Sequence, residues 1–81
     1  QIAKIGAIGN DLRFTTGSTE AVRMDSSQNV SILAGDFAIS TTKTPASATA
    51  SGTTGTIAWD SSYVYVCTAT NTWKRTAIST W

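Results

Sequence analysis

The five residues YVYVC, at positions 63 to 67, are apolar in succession. Because side chains alternate along a strand, Tyr63, Tyr65 and Cys67 point to one side, and the two valines between them point to the other. A strand that is apolar on both faces is expected to be covered on both faces. This requirement constrains the fold more than any other feature of the chain.

The segments on either side complete a three-stranded antiparallel β-meander. TIAWD precedes the central strand and TWKRTAIS follows it, with the turn-favouring stretches DSS and TNT between them. One meander has no second layer, so we expect neighbouring copies of the chain to cover it. The residues expected in this shared core are Ile57, Trp59, Tyr63, Val64, Tyr65, Val66, Trp73 and Trp81.

The composition also favours association between copies. A domain this small buries only about 60% of the surface that its unfolded chain exposes, so it usually needs additional support. Cys67 is the only cysteine and histidine is absent, which excludes an internal disulfide and removes the commonest nitrogen ligand for metals. We therefore expect a homo-oligomer without metal or cofactor.

The charge and hydropathy patterns exclude two further classes of partner. The net charge is +1, only 14% of the residues are charged, and the lysines and arginines are scattered. A nucleic-acid-binding domain should instead carry a basic patch or stripe. No apolar run approaches the length that spans a bilayer, so we expect neither nucleic-acid binding nor membrane insertion.

Residues 1–40 show short alternating runs separated by turn residues, which predicts short strands. The first ten residues leave two interpretations open: isoleucines spaced by three suit a short helix, whereas two glycines favour an extended segment. The apolar pairs that predict four strands are Leu12 with Phe14, Val22 with Met24, Val30 with Ile32, and Phe37 with Ile39.

Residues 41–55, TTKTPASATASGTTG, contain the only proline and no large apolar side chain. This composition predicts an extended Ser/Thr/Pro connector, which either lies across a surface or leads between two modules. We therefore expect an all-β chain with a segment of short strands over residues 1–40, the connector over 41–55 and the meander over 56–81.

Two stretches of the chain resemble bacteriophage tail fibres and related virion appendages. The first stretch resembles a segment in which a short strand leads to a TG turn and then to a run of the type RIDSSGNVGI; here it reads LRFTTGSTEAVRMDSSQNVSI. The second stretch resembles a closing module of such proteins and reads GTIAWDSSYVYVCTATNTWKRTAISTW. Gln28 and Ser31 stand where that pattern usually has glycine, so the turn at 26–29 need not be of the usual type. The matching residues are Phe14, Thr16, Gly17, Arg23, Met24, Asp25, Ser26, Ser27, Asn29, Val30 and Ile32.

The resemblance implies a homotrimeric fibre stem of short strands around a threefold axis, followed by a small β-meander tip that holds the trimer together. The shared core listed above would then be a trimer core. The resemblance also implies a location on the virion and a structural or adhesive function, either host-surface attachment or assembly of an appendage, and no enzyme. Because the chain begins with Gln1 rather than methionine, we expect it to be a C-terminal piece of a longer protein, the alternative being a chain trimmed by processing.

Catalysis is not expected from the residues themselves. Without histidine, a Ser-His-Asp or Cys-His arrangement cannot form in its usual form. Cys67 lies within a strand, where a thiol usually belongs to the core. Each aspartate lies in or beside a predicted turn, where its carboxylate typically accepts hydrogen bonds from backbone amides.

The stretch TWKR, residues 72–75, leaves two interpretations open. In the first, an exposed Trp73 stacks on a sugar ring, while Lys74 and Arg75, with Asn71 in the preceding turn, contact a bacterial surface glycan. In the second, Trp73 is in the core, Lys74 points to solvent, and Arg75 stacks on a tyrosine or pairs with a carboxylate.

Two alternative functions remain beside the adhesive fibre. The chain could be a purely structural capsid or tail component that binds only other virion proteins. It could also be the C-terminal trimerisation module of a polysaccharide-degrading tailspike, whose catalytic part would lie upstream.

Overall fold

The computed structural model describes residues 3–81, with side chains given for residues 5–7 and 9–81. Over this range the chain is all-β, as predicted, and forms two antiparallel sheets with no helix. It divides after Ala38 into two compact units. We call them the N-terminal unit and the C-terminal unit.

The N-terminal unit is a four-stranded sheet with strand order β1-β2-β3-β4. Two-residue turns join the first three strands, and each turn begins with a glycine in the left-handed region, Gly9 at φ 60° and Gly17 at φ 62°. Only glycine adopts this conformation without steric cost. The strands are β1 (Ala3–Ile8), β2 (Asp11–Thr16), β3 (Thr19–Met24) and β4 (Val30–Ile32).

The turn between β3 and β4 is closed by Asp25. Its Oδ1 accepts hydrogen bonds from the backbone N–H groups of Ser27, at 2.9 Å, and Asn29, at 3.0 Å. Gln28 has φ 71°, so the left-handed conformation is present although glycine is not. The aspartate makes the backbone contacts that its place in a turn predicts.

The C-terminal unit contains the predicted meander, with strand order β5-β6-β7. The turn from β6 to β7 contains Asn71 at φ 54°, a conformation that asparagine tolerates better than most residues. The strands are β5 (Ile57–Trp59), β6 (Tyr63–Ala69) and β7 (Thr72–Ala77).

Residues 47–55, within the predicted connector, pack on one face of this sheet, and we call them the covering segment. The backbone N–H of Trp73 donates to the carbonyl of Ala48 at 2.8 Å, and its indole N–H donates to the carbonyl of Ala50 at 3.1 Å. Gly52 lies so close that an added Cβ would come within 2.7 Å of the Trp73 ring and 2.8 Å of the Cys67 sulfur. The covering segment is therefore a second layer that comes from the same chain.

Two details of the N-terminal unit differ from the sequence-based expectation. The entry segment is strand β1, which selects the extended interpretation over the helix. The strand predicted at Phe37 and Ile39 is wrong, because neither residue lies in a strand. Gly35, at φ 74°, turns the chain soon after β4. Ile39 already belongs to the C-terminal unit, within which its carbonyl accepts a hydrogen bond from the Trp59 indole.

Candidate functional site

The C-terminal sheet has one face closed by its own chain, which we call the covered face. Ala58, Tyr65, Cys67 and Trp73 are buried there, with exposed fractions of 5% or less. Cys67 is fully buried, as expected for a core thiol. The burial of Tyr65 and Trp73, both predicted for a core shared between chains, is thus complete within one chain.

The opposite face of this sheet is open. Cross-strand pairing places Ile57 beside Val66 and Trp59 beside Val64, so these four apolar side chains share one face, which we call the open face. Trp59 and Val66 are each 37% exposed and Ile57 is 57% exposed. Whether they form a trimer core remains a prediction. The chain leaves them accessible to a partner.

The three residues expected to contact a glycan do not share one surface. Lys74 pairs with Val66 at the open face and is exposed. The Arg75 guanidinium lies 4.0 Å from the centroid of the Tyr63 ring on the other face. Asn71 accepts a hydrogen bond from the Gly52 N–H at 3.0 Å, which ties the β6–β7 turn to the covering segment.

A polar cluster around Asp60 fastens the start of the connector to the sheet. The hydroxyls of Thr44 and Tyr65 each donate to Asp60 Oδ2 at 2.6 Å, and backbone N–H groups of Ser62 and Tyr63 donate to Oδ1. These bonds, led by the one from Thr44, hold the pKa of Asp60 well below its ordinary value. The same carboxylate raises the pKa of the Tyr65 hydroxyl. The cluster is structural, because every polar group in it is engaged within the chain.

A groove beside the last residues of the chain is a further candidate site for contact with a glycan. A groove of about 420 Å³ is lined by Ser61, Trp81 and the segment 78–80. The Trp81 side chain is fully exposed. A flat aromatic ring beside several hydroxyl groups is a combination suited to stacking and hydrogen bonding with a sugar.

The N-terminal sheet carries a larger uncovered surface, which we call the apolar face. Cross-strand pairing joins Ile5 to Phe14, Phe14 to Val22, and Val22 to Ile32. A parallel row joins Leu12 to Met24 and then to Val30. The members of the apolar face are Ile5, Leu12, Phe14, Val22, Met24, Val30 and Ile32.

The opposite side of this sheet, its charged face, is internally paired. Arg13 lies 2.7 Å from a Glu20 carboxylate oxygen, Arg23 donates two hydrogen bonds to the same carboxylate, and Arg23 also approaches Asp11 at 4.0 Å. The hydrogen bond from Arg23 lowers the pKa of Glu20 and raises that of Arg23. Arg13, Glu20 and Arg23 are partly buried, whereas Phe14 and Met24 are exposed. This sheet therefore shields its charges better than its apolar side chains.

The described side chains were also compared with the requirements of a metal site. No group of three or more Cys, Asp or Glu side chains in the described part of the chain is arranged to hold a metal ion. In the same range, no helix is long and apolar enough to cross a membrane.

Comparison with known proteins finds similarity to phage proteins over about half of the chain. Depolymerase 1 of Klebsiella phage K5-2, described as specific for capsule K30/K69, is 60% identical over 40 residues, which are 49% of this chain and 5% of that protein. A depolymerase of Klebsiella phage K64-1 with the same capsule description is 54% identical over 37 residues, again 5% of its length. No family model and no solved structure matches the chain.

These similarities support a phage tail-associated, virion-located chain of structural character, which is a broader assignment than a tail fibre. The matched region spans about a twentieth of each relative. The comparisons therefore do not separate an attachment protein from one part of a depolymerase.

Sequence reasoning left open whether the connector lies across a surface or leads between two modules, and it did not identify the face of the meander that residues 47–55 cover. The connector has no large apolar side chain that would have indicated this contact. Its small residues Ala48, Ala50 and Gly52 are what allow its backbone to approach Trp73 and Cys67 closely. Alternating small residues before a tryptophan-rich meander were the available signal.

Proposed function

We propose that this chain is a structural and adhesive segment of a phage tail appendage, which acts as a homotrimer and contributes to host-surface attachment or to assembly of the appendage. The observation that carries the proposal is the apolar face of the N-terminal sheet, whose six exposed members have fractions from 37% to 72%. Contiguous exposed apolar patches on soluble proteins mark interaction sites. The similarity to phage proteins gives the biological setting.

The proposed partners are further copies of the chain, other virion proteins and a bacterial surface glycan. The number of three copies follows from the resemblance to phage fibres. Within such an assembly, the apolar face and the open face are the surfaces available for contact between chains.

Adhesion in this proposal uses the groove beside Trp81, with the exposed Lys74 as a further contact. Several copies held together would present several weak sites at once, and multivalent display raises the overall strength of binding without any new contact. The ligand class is a capsular polysaccharide, because the relatives are described as capsule-specific depolymerases.

The test immobilises the purified chain and measures its binding to the capsular polysaccharides K30 and K69. We expect binding that Trp81→Ala reduces at least about tenfold, which corresponds to loss of one aromatic stacking contact. The matched control is Phe37→Ala, which removes another exposed aromatic ring and should leave binding unchanged. Equal binding by both variants would contradict the proposed groove.

A second candidate function is favoured by the names of the relatives. The chain would then be a trimerising part of a polysaccharide-degrading protein whose catalytic part lies elsewhere. In that case the isolated chain associates with itself but does not bind polysaccharide. Under either proposal we expect no new reducing ends when the chain is incubated with K30 or K69 polysaccharide, and their appearance would contradict both.

A further inference from the structure

We infer that the main contact between copies is the apolar face of the N-terminal sheet, and that the second layer of this sheet is supplied by other copies of the same chain. The inference rests on the proposed self-association and names the surface responsible for it. The principal contact between copies is then not made by the C-terminal meander, because the covering segment of the same chain already packs on one face of that sheet.

The first argument is the missing interior of the N-terminal unit. Among its described side chains, only Thr15 is buried, and Thr15 is polar. Stable domains consist of at least two packed layers around an apolar core. Ile5 and Val30, at 72% and 61% exposed, lie at the two edges of the apolar face, and Phe14, at 39%, lies near its centre. Within the described residues of the N-terminal unit, no segment covers this face.

The second argument is the distribution of charge. None of the described side chains on the apolar face is charged, so identical copies can meet there without repulsion between like charges. Arg13, Glu20 and Arg23 lie on the other side of the sheet and pair with one another, and Asp11 lies near Arg23. An acidic polysaccharide or a nucleic acid would find no cation on the apolar face. A second copy offers an equally apolar and uncharged surface.

The third argument is size. Three strands of six residues and one of three, about 4.8 Å apart and at about 3.4 Å per residue, present roughly 350 Å² in plan. This is as large as the largest apolar patch on a typical monomer. It is also about half of what each partner contributes to a standard interface. We therefore expect an association that depends on protein concentration.

The first experiment uses two neighbouring residues on opposite sides of β4. Val30 belongs to the apolar face, and Ser31 pairs with Arg23 on the charged face; both are exposed. Val30→Cys and Ser31→Cys each add one thiol, while the native Cys67 is fully buried and gives little background. Reaction with a maleimide is followed by mass spectrometry at high concentration and after dilution to monomers.

We expect the thiol of Val30→Cys to react at least about tenfold more slowly in the assembled state than in the dilute state, because a packed interface excludes the reagent. The thiol of Ser31→Cys should react at similar rates in both states. Equal rates for Val30→Cys in the two states would overturn the inference.

The second experiment compares two substitutions at matched positions. Phe14 and Val66 are 39% and 37% exposed, each on a strand with neighbours on both sides in its sheet. Phe14→Glu should reduce the molar mass measured by light scattering to that of one chain, whereas Val66→Glu should leave the assembly intact. All three tryptophans lie in the C-terminal unit, so their fluorescence confirms that this unit stays folded in either variant.

The outcomes separate the inference from the proposed function. Dissociation by Val66→Glu, alone or together with Phe14→Glu, would overturn the inference but preserve self-association. Assembly that survives Phe14→Glu would also overturn it. A wild-type chain that is monomeric at every concentration would contradict both the inference and the proposed assembly.

Discussion

The two halves of this chain are small antiparallel sheets that differ in how their apolar side chains are covered. In the C-terminal unit, the covering segment closes over Tyr65, Cys67 and Trp73 and buries them almost completely. In the N-terminal unit, the described part of the chain contains no such segment, and Phe14 and Met24 remain exposed. The second layer of a short sheet can thus come from a neighbouring segment of the same chain. Where no such segment exists, a partner molecule must supply it.

The difference arises from the residues next to each sheet. Ala48, Ala50 and Gly52 are small enough for the backbone to lie against an indole ring and to accept its N–H hydrogen bond. In the N-terminal sheet, the side chains of the charged face form ion pairs with one another. The side chains of the apolar face are exposed to solvent and available to a partner. This comparison can be tested with four substitutions.

The largest effect is expected from Trp73→Ala, because this ring is the principal side chain between the sheet and the covering segment. Removing a buried aromatic side chain typically costs about 3–5 kcal/mol, which is enough to unfold a small unit. Urea unfolding followed by near-UV circular dichroism measures the loss. Trp81→Ala is the control, and since Trp81 is fully exposed it should change stability by less than about 0.5 kcal/mol. Similar losses for the two variants would remove the distinction between a covered and an open unit.

A smaller effect is expected from Gly52→Ala, which tests how closely the covering segment packs. The added methyl group would lie within 2.8 Å of both Trp73 and Cys67, so the segment must move outward. Overpacking of this kind costs about 1–3 kcal/mol. Ser51→Ala, at the exposed neighbouring position, is the control and should be nearly neutral. A fully stable Gly52→Ala variant would mean that the contact is loose.

The Asp60 cluster gives the C-terminal unit a specific response to pH. Because the folded state lowers the pKa of Asp60, its contribution to stability is present above the ordinary carboxyl pKa near 4 and is lost as the pH falls below that value. The melting temperature of the C-terminal unit should therefore decrease from pH 5 to pH 2. Asp60→Asn should lower the melting temperature at pH 5 and flatten its dependence on pH. An unchanged slope in that variant would assign the pH response to other carboxylates.

The smallest effect is expected from Gln28→Gly in the N-terminal unit. Gln28 occupies the left-handed region at φ 71°, which is unfavourable for a residue with a Cβ atom. Relief of this strain, less the extra freedom of glycine in the unfolded chain, should stabilise the turn by about 0.5 kcal/mol. The variant should assemble at a slightly lower protein concentration, as measured by sedimentation. Weaker assembly would contradict this account of the turn.

Much of the fold was predictable because it depends on local patterns. Alternation and turn residues correctly indicated the all-β class, the C-terminal meander and the pairs Leu12 with Phe14 and Val22 with Met24. The absence of a strand at Phe37 and Ile39 was not predictable from alternation alone, because alternation does not register the turn at Gly35, whose φ is 74°. The alternation within a short apolar run does not predict the position of the turn that follows it.

The candidate surfaces were less predictable, since they depend on what covers each face. Sequence reasoning assigned Tyr65 and Trp73 to a core between chains because no second layer was visible in the sequence. The covering segment consists of small and polar residues, which carry little hydrophobic signal. The glycan contacts were uncertain for a related reason, because Arg75 and Asn71 are engaged by Tyr63 and Gly52, which lie apart in sequence.

Amide hydrogen exchange at low and high protein concentration tests the central contrast most directly. We expect the amides of β6 and β7 to be equally protected at both concentrations, because their second layer belongs to the same chain. The amides of β2 and β3 should become protected only at the concentration at which the chain assembles. Strong protection of β2 and β3 in a dilute, monomeric sample would contradict the account.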